Sequence, residues 1–393
     1  MKKDGCALVL GGHINGYSIV KELSQEKEID ILLMDYGHSI AKYSNKCTYH
    51  GSIPGNDEDF IKKVRLLFEC HGKVVIYPTD DEQLELLHRT YDALVQYAYV
   101  PVNPTNLLNN LDKSHQYSVC EDIGIPYPRS MTIETLSDLD EEVNLMFPLL
   151  IKPNTRKDLS FPVFRNKYFE SHEHWLSAKQ EIADFISQGV TFLLSEFIPG
   201  DDTNIYAYTC VQDKDSKVRN EWIGKKLTQY PNEYGVFCSA SNDSPQVVLT
   251  QGRKLVEAMR NIGVCEPEFK YDHRDGLYKL METNLRSMMW HRVGCITGVN
   301  LHLTQYYLAT NPDKVKHEQQ ELDEPQHLVL MLHEIPNLIA RKGYFKHFKA
   351  NIFGKGKRTW AVLDKTDLKP FFASIPLLFK MMVSACLRRL NLR

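Results

Sequence analysis

LYKLMETNLRSMMWHR, residues 277–292, comes just after VCEPEFKYD, residues 264–272, and both stretches read as strands. The DHRDG segment at their junction reads as a turn. Side chains alternate along a strand with period two. Glu282, Asn284 and Arg286 therefore share one face, while Met281, Thr283 and Leu285 point the other way. A bend at Asp275 sets Glu268 and Glu282 opposite each other, seven residues to either side. Opposed residues in an antiparallel pair hold their Cβ atoms about 5 Å apart, and like charges there repel. A shared cation removes that conflict. Two carboxylates and an amide oxygen form a hard-oxygen set suited to Mg2+, which nucleotide phosphates complete. Arg286, one step further along the face, adds a bidentate partner for a phosphate or carboxylate. A surface hairpin with its charges in water explains one Glu pair, but not the E-x-N-x-R series together with the upstream Glu.

The chain around this hairpin has 393 residues, enough for two or three domains, with 43% hydrophobic and 25% charged residues. Its net charge of -3 carries no nucleic-acid signature. Nine cysteines are scattered singly, without a CxxC pair. This argues against a disulfide framework or structural zinc site and for a reducing, cytoplasmic setting. The opening MKKDG runs into an apolar stretch too short for a signal peptide.

CALVLGGHINGYSIVKELSQE and EIDILLMDYG read as strand, glycine turn, helix and second strand, the βαβ opening of a parallel sheet. GGHING lacks the G-x-G-x-x-G spacing of a dinucleotide fingerprint. Asp35, at the end of the second strand, nevertheless suits a ribose hydroxyl, so a nicotinamide-dependent dehydrogenase is one alternative. KVVIYPTDDEQLELL continues with a strand and a helix starting near Asp80 and Asp81, where the helix dipole favours acidic residues. Prolines in residues 101–130 mark a boundary, and within it a helix runs from about Asp112 to Gly124. FPLLIKPN, residues 147–154, is an apolar strand carrying Lys152, a charge that needs a partner there. VTFLLSEFIPGDD, residues 190–202, is a buried strand entering a turn, and NIYAYTCVQ and EWIGKKLTQYP read as the next strands of the same sheet. Leu255, Met259 and Ile262 form a helical stripe ended by Gly263.

Taken together, Glu268, Glu282, Asn284 and Arg286 resemble the metal-binding end of the ATP-grasp superfamily, and the resemblance spans about residues 5–310. It implies an α/β and α+β architecture, with a Rossmann-like pre-ATP-grasp domain over 1–112 and a two-subdomain ATP-grasp fold over 113–310; the C-terminal extension over 311–393, basic and then apolar, lies outside it. It implies ATP and Mg2+, with Mn2+ a substitute, the metal held by Glu268, Glu282 and Asn284. Asn284 and Arg286 become the catalytic candidates, with Arg286 contacting phosphate or substrate. Lys113 and Lys152 match the two phosphate-binding lysines. Glu196 and the backbone of Phe197 and Ile198 match the adenine-reading hinge, with Asp202 or Asp201 reaching the ribose. Either Lys225 or Lys226 approaches the triphosphate. The usual glycine-rich phosphate loop is absent after Lys152, and Thr155, Arg156, Lys157 and Ser160 are the side chains available to cover phosphate instead. His291 is open between a structural role and substrate contact.

The activity implied is an ADP-forming carboxylate–amine ligase of the carbamoyl-phosphate-synthase-type and D-aspartate-ligase-like branch, attaching an amino acid in cell-envelope or polysaccharide biosynthesis. Its partners are a small carboxylate and an amine, with no nucleic acid, and a homodimer is an added expectation. An ATP-binding regulatory or scaffold protein without ligase chemistry is the other alternative. GYFKHFKANIFGKGKR followed by PFFASIPLLFKMMVSACLRRLNLR suggests a peripheral membrane contact, a partner-docking segment, or a helix packed on its own domain.

Overall fold

The apolar runs near the N-terminus become five parallel strands: β1 (Cys6–Leu10), β2 (Asp30–Asp35), β3 (Thr48–Ser52), β4 (Val74–Tyr77) and β5 (Ala98–Tyr99). Their order is β3-β2-β1-β4-β5. Strands β1 and β4 are buried along their whole length, which explains their unbroken apolar sequence. The computed structural model describes residues 5–37, 39–140, 144–154, 161–231 and 235–390. Strand order reverses between β1 and β4, so the loops leaving them open a crevice at the sheet's carboxyl edge. The helix Asp81–Arg89 starts with Asp80 capping the Gln83 N–H. The helix Lys113–Ile123 lies between Asp112 as N-cap and Gly124, whose φ of 66° is the left-handed closure that glycine supplies.

A small antiparallel sheet follows, in the order β6-β9-β7-β8: β6 (Ser130–Ile133), β7 (Leu149–Pro153), β8 (Lys167–Phe169) and β9 (Phe192–Glu196). Phe192 and Leu194 of β9 face a core shared with Trp175 and Ile182 of the helix His172–Ile186. Pro199 and Gly200 then break the chain away. As a result β10 (Ile205–Gln212) and β11 (Val218–Tyr230) do not continue the sheet of β9, as expected from sequence, but pair with each other in a larger sheet. With β12 (Val236–Ser241), β13 (Gly263–Asp272), β14 (Leu277–Asn284), β15 (Gln326–Val329) and β16 (Lys357–Trp360), that sheet runs β14-β13-β10-β11-β12-β15-β16.

The segment from residue 311 onward is therefore not set apart, because β15 and β16 extend the large sheet at its β12 edge. The helix Met331–Ala340 packs on that sheet, and the C-terminal helix Lys369–Arg389 packs on it in turn. The expected helical stripe ending at Ile262 also stops sooner. The helix Gln246–Met259 closes at Arg260, because Gly263 already begins β13 and residues 260–262 are needed for the turn. Gly252 lets this helix approach β10 closely: a Cβ there would lie 2.2 Å from the Tyr208 ring. The helix Leu301–Thr310 joins the large sheet to the N-terminal one, with Gln305 Nε2 donating to the Ile76 carbonyl at 3.1 Å.

Candidate active site

Strand β13 alternates as a two-faced strand must. Cys265 and Phe269 point into the core, whereas Glu266, Glu268 and Lys270 share the opposite face and are buried. Glu268 faces Glu282 across the hairpin, as the sequence implied. The register arises differently from the expectation, however. Asp272 pairs with Leu277, so the turn is centred before Asp275, and an irregularity at Met281 then shifts the register so that Glu282 meets Glu268. That extra residue keeps Leu280 in the core with Phe269 while Glu282 turns to the site.

The like-charge conflict is answered by lysines. Lys226 of β11 hydrogen-bonds Glu268 Oε2, and both side chains are buried. Lys113 Nζ lies 2.7 Å from Glu282 Oε2 and also donates to the Met281 carbonyl at 3.4 Å. Burial pulls Lys113 down, but Glu282 beside it holds its pKa above the ordinary lysine value. The Lys113 charge, against burial and with help from Lys152 and Lys226, holds Glu282 down at about 2. Burial lowers Lys226, yet Glu268 and Glu266 hold it above its usual value. Burial also pushes Glu268 up. The Lys226 ammonium in contact offsets that burial only in part, and Glu266 and Glu282 add to the rise. Of the two neighbouring lysines, Lys226 reaches the carboxylate pair, whereas Lys225 lies over the Tyr206 ring.

Glu266 was missed in the sequence reading, although the alternation that exposes Glu268 to the site also places Glu266 there. It sits opposite Asn284. Its Oε2 lies 2.7 Å from His291 Nε2, while His291 Nδ1 accepts from the Met288 N–H at 3.2 Å, which assigns the ring proton to Nε2. Burial holds His291 well below its usual pKa and raises Glu266 to about 7. His291 therefore acts as a buried brace for Glu266. His302 Nε2 and Ser287 Oγ continue the polar packing at 2.9 Å.

Arg286 lies beyond the end of β14 and does not continue its face. It reaches Asp81 in two contacts, at 2.7 and 3.2 Å. Ser287 meets Asn15 from the GGHING turn, whose Nδ2 donates to the Ser287 carbonyl at 2.6 Å. These contacts place the hairpin's end against the crevice of the parallel sheet. Asp35, raised for a ribose contact, is buried, and its Oδ1 accepts from the Gly37 N–H at 2.7 Å and the Tyr49 OH at 3.2 Å.

The hinge residues have partners within the protein. Glu196 turns into the small sheet's side, where Oε1 accepts from Arg129 Nε at 3.0 Å and the Met146 N–H at 3.1 Å. It shares the face of Phe192 and Leu194, which point into the core of the small sheet. The Phe197 N–H donates to the Pro148 carbonyl at 2.8 Å. The Ile198 carbonyl accepts from Lys270 Nζ at 2.7 Å. Asp202 is buried and receives Arg341 Nη1 at 2.9 Å and the Gln229 N–H at 2.8 Å. Arg341 follows Met331–Ala340, so the region after 311 closes on the residue expected to reach ribose. Lys152 lies on β7, and its charge is among those lowering Glu282. Thr155, Arg156, Lys157 and Ser160 lie outside the described residues.

No protein-family model matches the chain. It is 29% identical over 269 residues to a D-aspartate ligase of Enterococcus faecium (strain Aus0004), a match covering 63% of each protein. It therefore spans less than two thirds of that relative. An ADP complex of N5-carboxyaminoimidazole synthetase from Staphylococcus aureus superposes with a TM-score of 0.62 at 12% identity, covering 91% of both chains. An L-amino acid ligase from Bacillus licheniformis gives 0.57 at 15% identity, covering 81% of this chain and 78% of its own. The Hydrogenobacter thermophilus 2-oxoglutarate carboxylase biotin carboxylase domain, solved with MgADP, gives 0.60 at 15%, covering 82% and 73%.

Proposed function

We propose that the chain is a member of the ATP-grasp superfamily and an ADP-forming ligase joining a carboxylate to an amine. The observation that carries this reading is the Glu268–Glu282 pair, opposed in register and ringed by Lys113, Lys152 and Lys226. Among the described residues no cluster of three or more His, Cys, Asp or Glu side chains forms a metal site by itself. The fit to Mg2+ is that of two carboxylates and the Asn284 amide, with phosphate oxygens completing the set. Mn2+ suits the same donors. When bound, the ion would neutralise charge on the transferring phosphoryl group.

Lys113 and Lys152 bind and orient the phosphate chain, and Lys226 keeps the carboxylate face compact. The hinge at Glu196, Phe197 and Ile198 flanks adenine; Glu196 acts by shaping the turn rather than by reading the base. Asp202, tied to Arg341, lines the ribose end. Asn284 and Arg286 hold the reacting groups where the hairpin meets the GGHING turn. A carboxylate oxygen attacks the γ phosphorus to give an acyl phosphate and ADP. The amine nitrogen then attacks the acyl carbon, phosphate leaves, and an amide remains. Positioning and charge neutralisation do this without a nucleophilic side chain.

The likeness to D-aspartate ligase favours an amino acid as the acid, joined to an amine of a cell-envelope or polysaccharide precursor. Nine unpaired cysteines suit a reducing cytoplasm. The working division is 1–112 for the parallel-sheet domain, 113–310 for the nucleotide and metal unit, and 311–393 for the C-terminal segment. A homodimer belongs to the same reading.

The test is ADP release from paired amino acids and amino sugars with ATP and Mg2+. Turnover requiring both partners, and abolished by Glu282→Ala without loss of fold, supports the ligase. ATP binding with no amine-dependent release across the screen supports the regulatory or scaffold alternative.

A further inference from the structure

The C-terminal helix Lys369–Arg389 inverts the usual pattern of a packed surface helix, which faces the core with apolar residues and water with polar ones. Phe372, Ile375, Phe379, Val383 and Cys386 are exposed. At 100° per residue all five lie within about 40° of Phe379 on the helix circumference. Phe372 is 60% exposed and Phe379 68%. The opposite face is occupied by the protein itself, with Pro370, Ser374 and Ala385 buried. The stripe is flanked by charge of one sign: Lys369 and Lys380 border one side, Arg389 the other, and the helix holds no acidic residue.

Beside this stripe lies a cavity of about 280 Å³ lined by Trp360, Val362, Leu363, Phe371, Ile375 and Leu378 among others. Ile375 belongs to both the cavity wall and the exposed stripe. An apolar cavity of about 150 Å³ already admits a benzene ring, so this one has room for a length of alkyl chain.

We infer that this helix docks the protein flat on an anionic lipid bilayer, with its apolar stripe entering the interface and its flanking cations meeting phosphate headgroups. Charge selects the occupant. A stripe bordered by Lys369 and Lys380, on a helix without acidic residues, matches a surface that is apolar inside and negative at its rim. By length and composition the helix also suffices to cross a membrane. Its tethers argue for lying flat. Asp367, just ahead of it, accepts from Tyr17 OH at 3.1 Å and the Asn45 N–H at 3.1 Å. Near the other end, Arg389 Nη1 donates to the Ile339 carbonyl at 2.8 Å, and Arg388 lies over the Tyr230 ring. Both ends are thus bound to the folded body. This inference stands apart from the ligase reading and does not need it.

The experiment is co-sedimentation of the full chain with vesicles of mixed phosphatidylglycerol and phosphatidylcholine, against phosphatidylcholine alone, at low salt. Binding to the anionic vesicles is expected, reduced by added salt. Phe372→Ser with Phe379→Ser should weaken it at least about tenfold, since both rings lose their apolar burial in the bilayer interface. Lys369→Glu with Lys380→Glu should remove the preference for anionic lipid. All four positions are solvent-facing, and an unchanged melting curve for each variant confirms its fold. Two results overturn the inference. One is binding that is absent or indifferent to lipid charge. The other is a vesicle-free dimer that the Phe372→Ser, Phe379→Ser variant converts to monomer, which would assign the stripe to a second copy.

Discussion

Lys226→Met tests whether the carboxylate face is held together by charge. The substitution keeps the apolar stem and removes the ammonium from Glu268, in a pair whose side chains are only 6% and 8% exposed. Removing one partner of a buried pair costs about 3–5 kcal/mol, because the remaining charge has neither water nor counter-ion. Glu282 opposite and Glu266 alongside place that carboxylate among its own sign, so the full range applies at pH 7.5. The cost should shrink at pH 5, where an uncompensated Glu268 takes up a proton. The double variant Lys226→Met, Glu268→Gln should recover to within about 1–2 kcal/mol of the native protein, since no buried charge is stranded. Urea unfolding followed by tryptophan fluorescence reads this locally, because the Trp290 ring lies 6.0 Å from Lys226 Nζ. A Lys226→Met loss below about 1 kcal/mol, the scale of an exposed pair, would refute the argument. So would a double variant whose loss equals the sum of the single ones.

Lys152→Ala should weaken ATP binding by about 1.5–3 kcal/mol, the value of a charge-assisted contact, and calorimetry showing native affinity would remove Lys152 from the site. His333 supplies a pH test of the C-terminal segment. It is buried against the Phe237 carbonyl at 2.6 Å, and burial, only partly offset by that bond, lowers it from 6.5 to about 4. The folded state keeps it neutral while the unfolded chain protonates it, so stability present above pH 6.5 is lost as pH falls towards 4. Relative to His333→Asn, the native protein should lose about 2 kcal/mol more between pH 7.5 and pH 5, and parallel stability–pH curves would contradict this. Gly252→Ala should destabilise by about 1–3 kcal/mol through overpacking on Tyr208, measured by urea midpoint; an unchanged midpoint means the helix shifts freely.

Local pattern carried a large share of this protein. The parallel sheet was legible because strands buried on both faces must be apolar throughout, as β1 and β4 are. The pairing of Glu268 with Glu282 was legible because a hairpin couples residues close in sequence. Asp112, Gly124 and Asp80 announced their helix ends by side-chain chemistry that acts over three or four residues. What escaped depends on partners distant in the chain. Nothing near Asp202 signals Arg341, which lies 139 positions away, and nothing near Arg286 signals Asp81, which lies 205 away. Glu196 has the right position for a hinge, yet the face it presents depends on the phase of β9 against its neighbours. Glu266 was readable by alternation, but its value as a braced group came only when the turn after β14 brought His291 beneath it. The basic and apolar composition of the C-terminal segment was written in the sequence. Only tertiary packing decided that β15 and β16 join the large sheet, and that the apolar stripe of the last helix is the face left to solvent. Composition determines how much apolar surface a segment has; the neighbours that claim one side of it determine which surface remains.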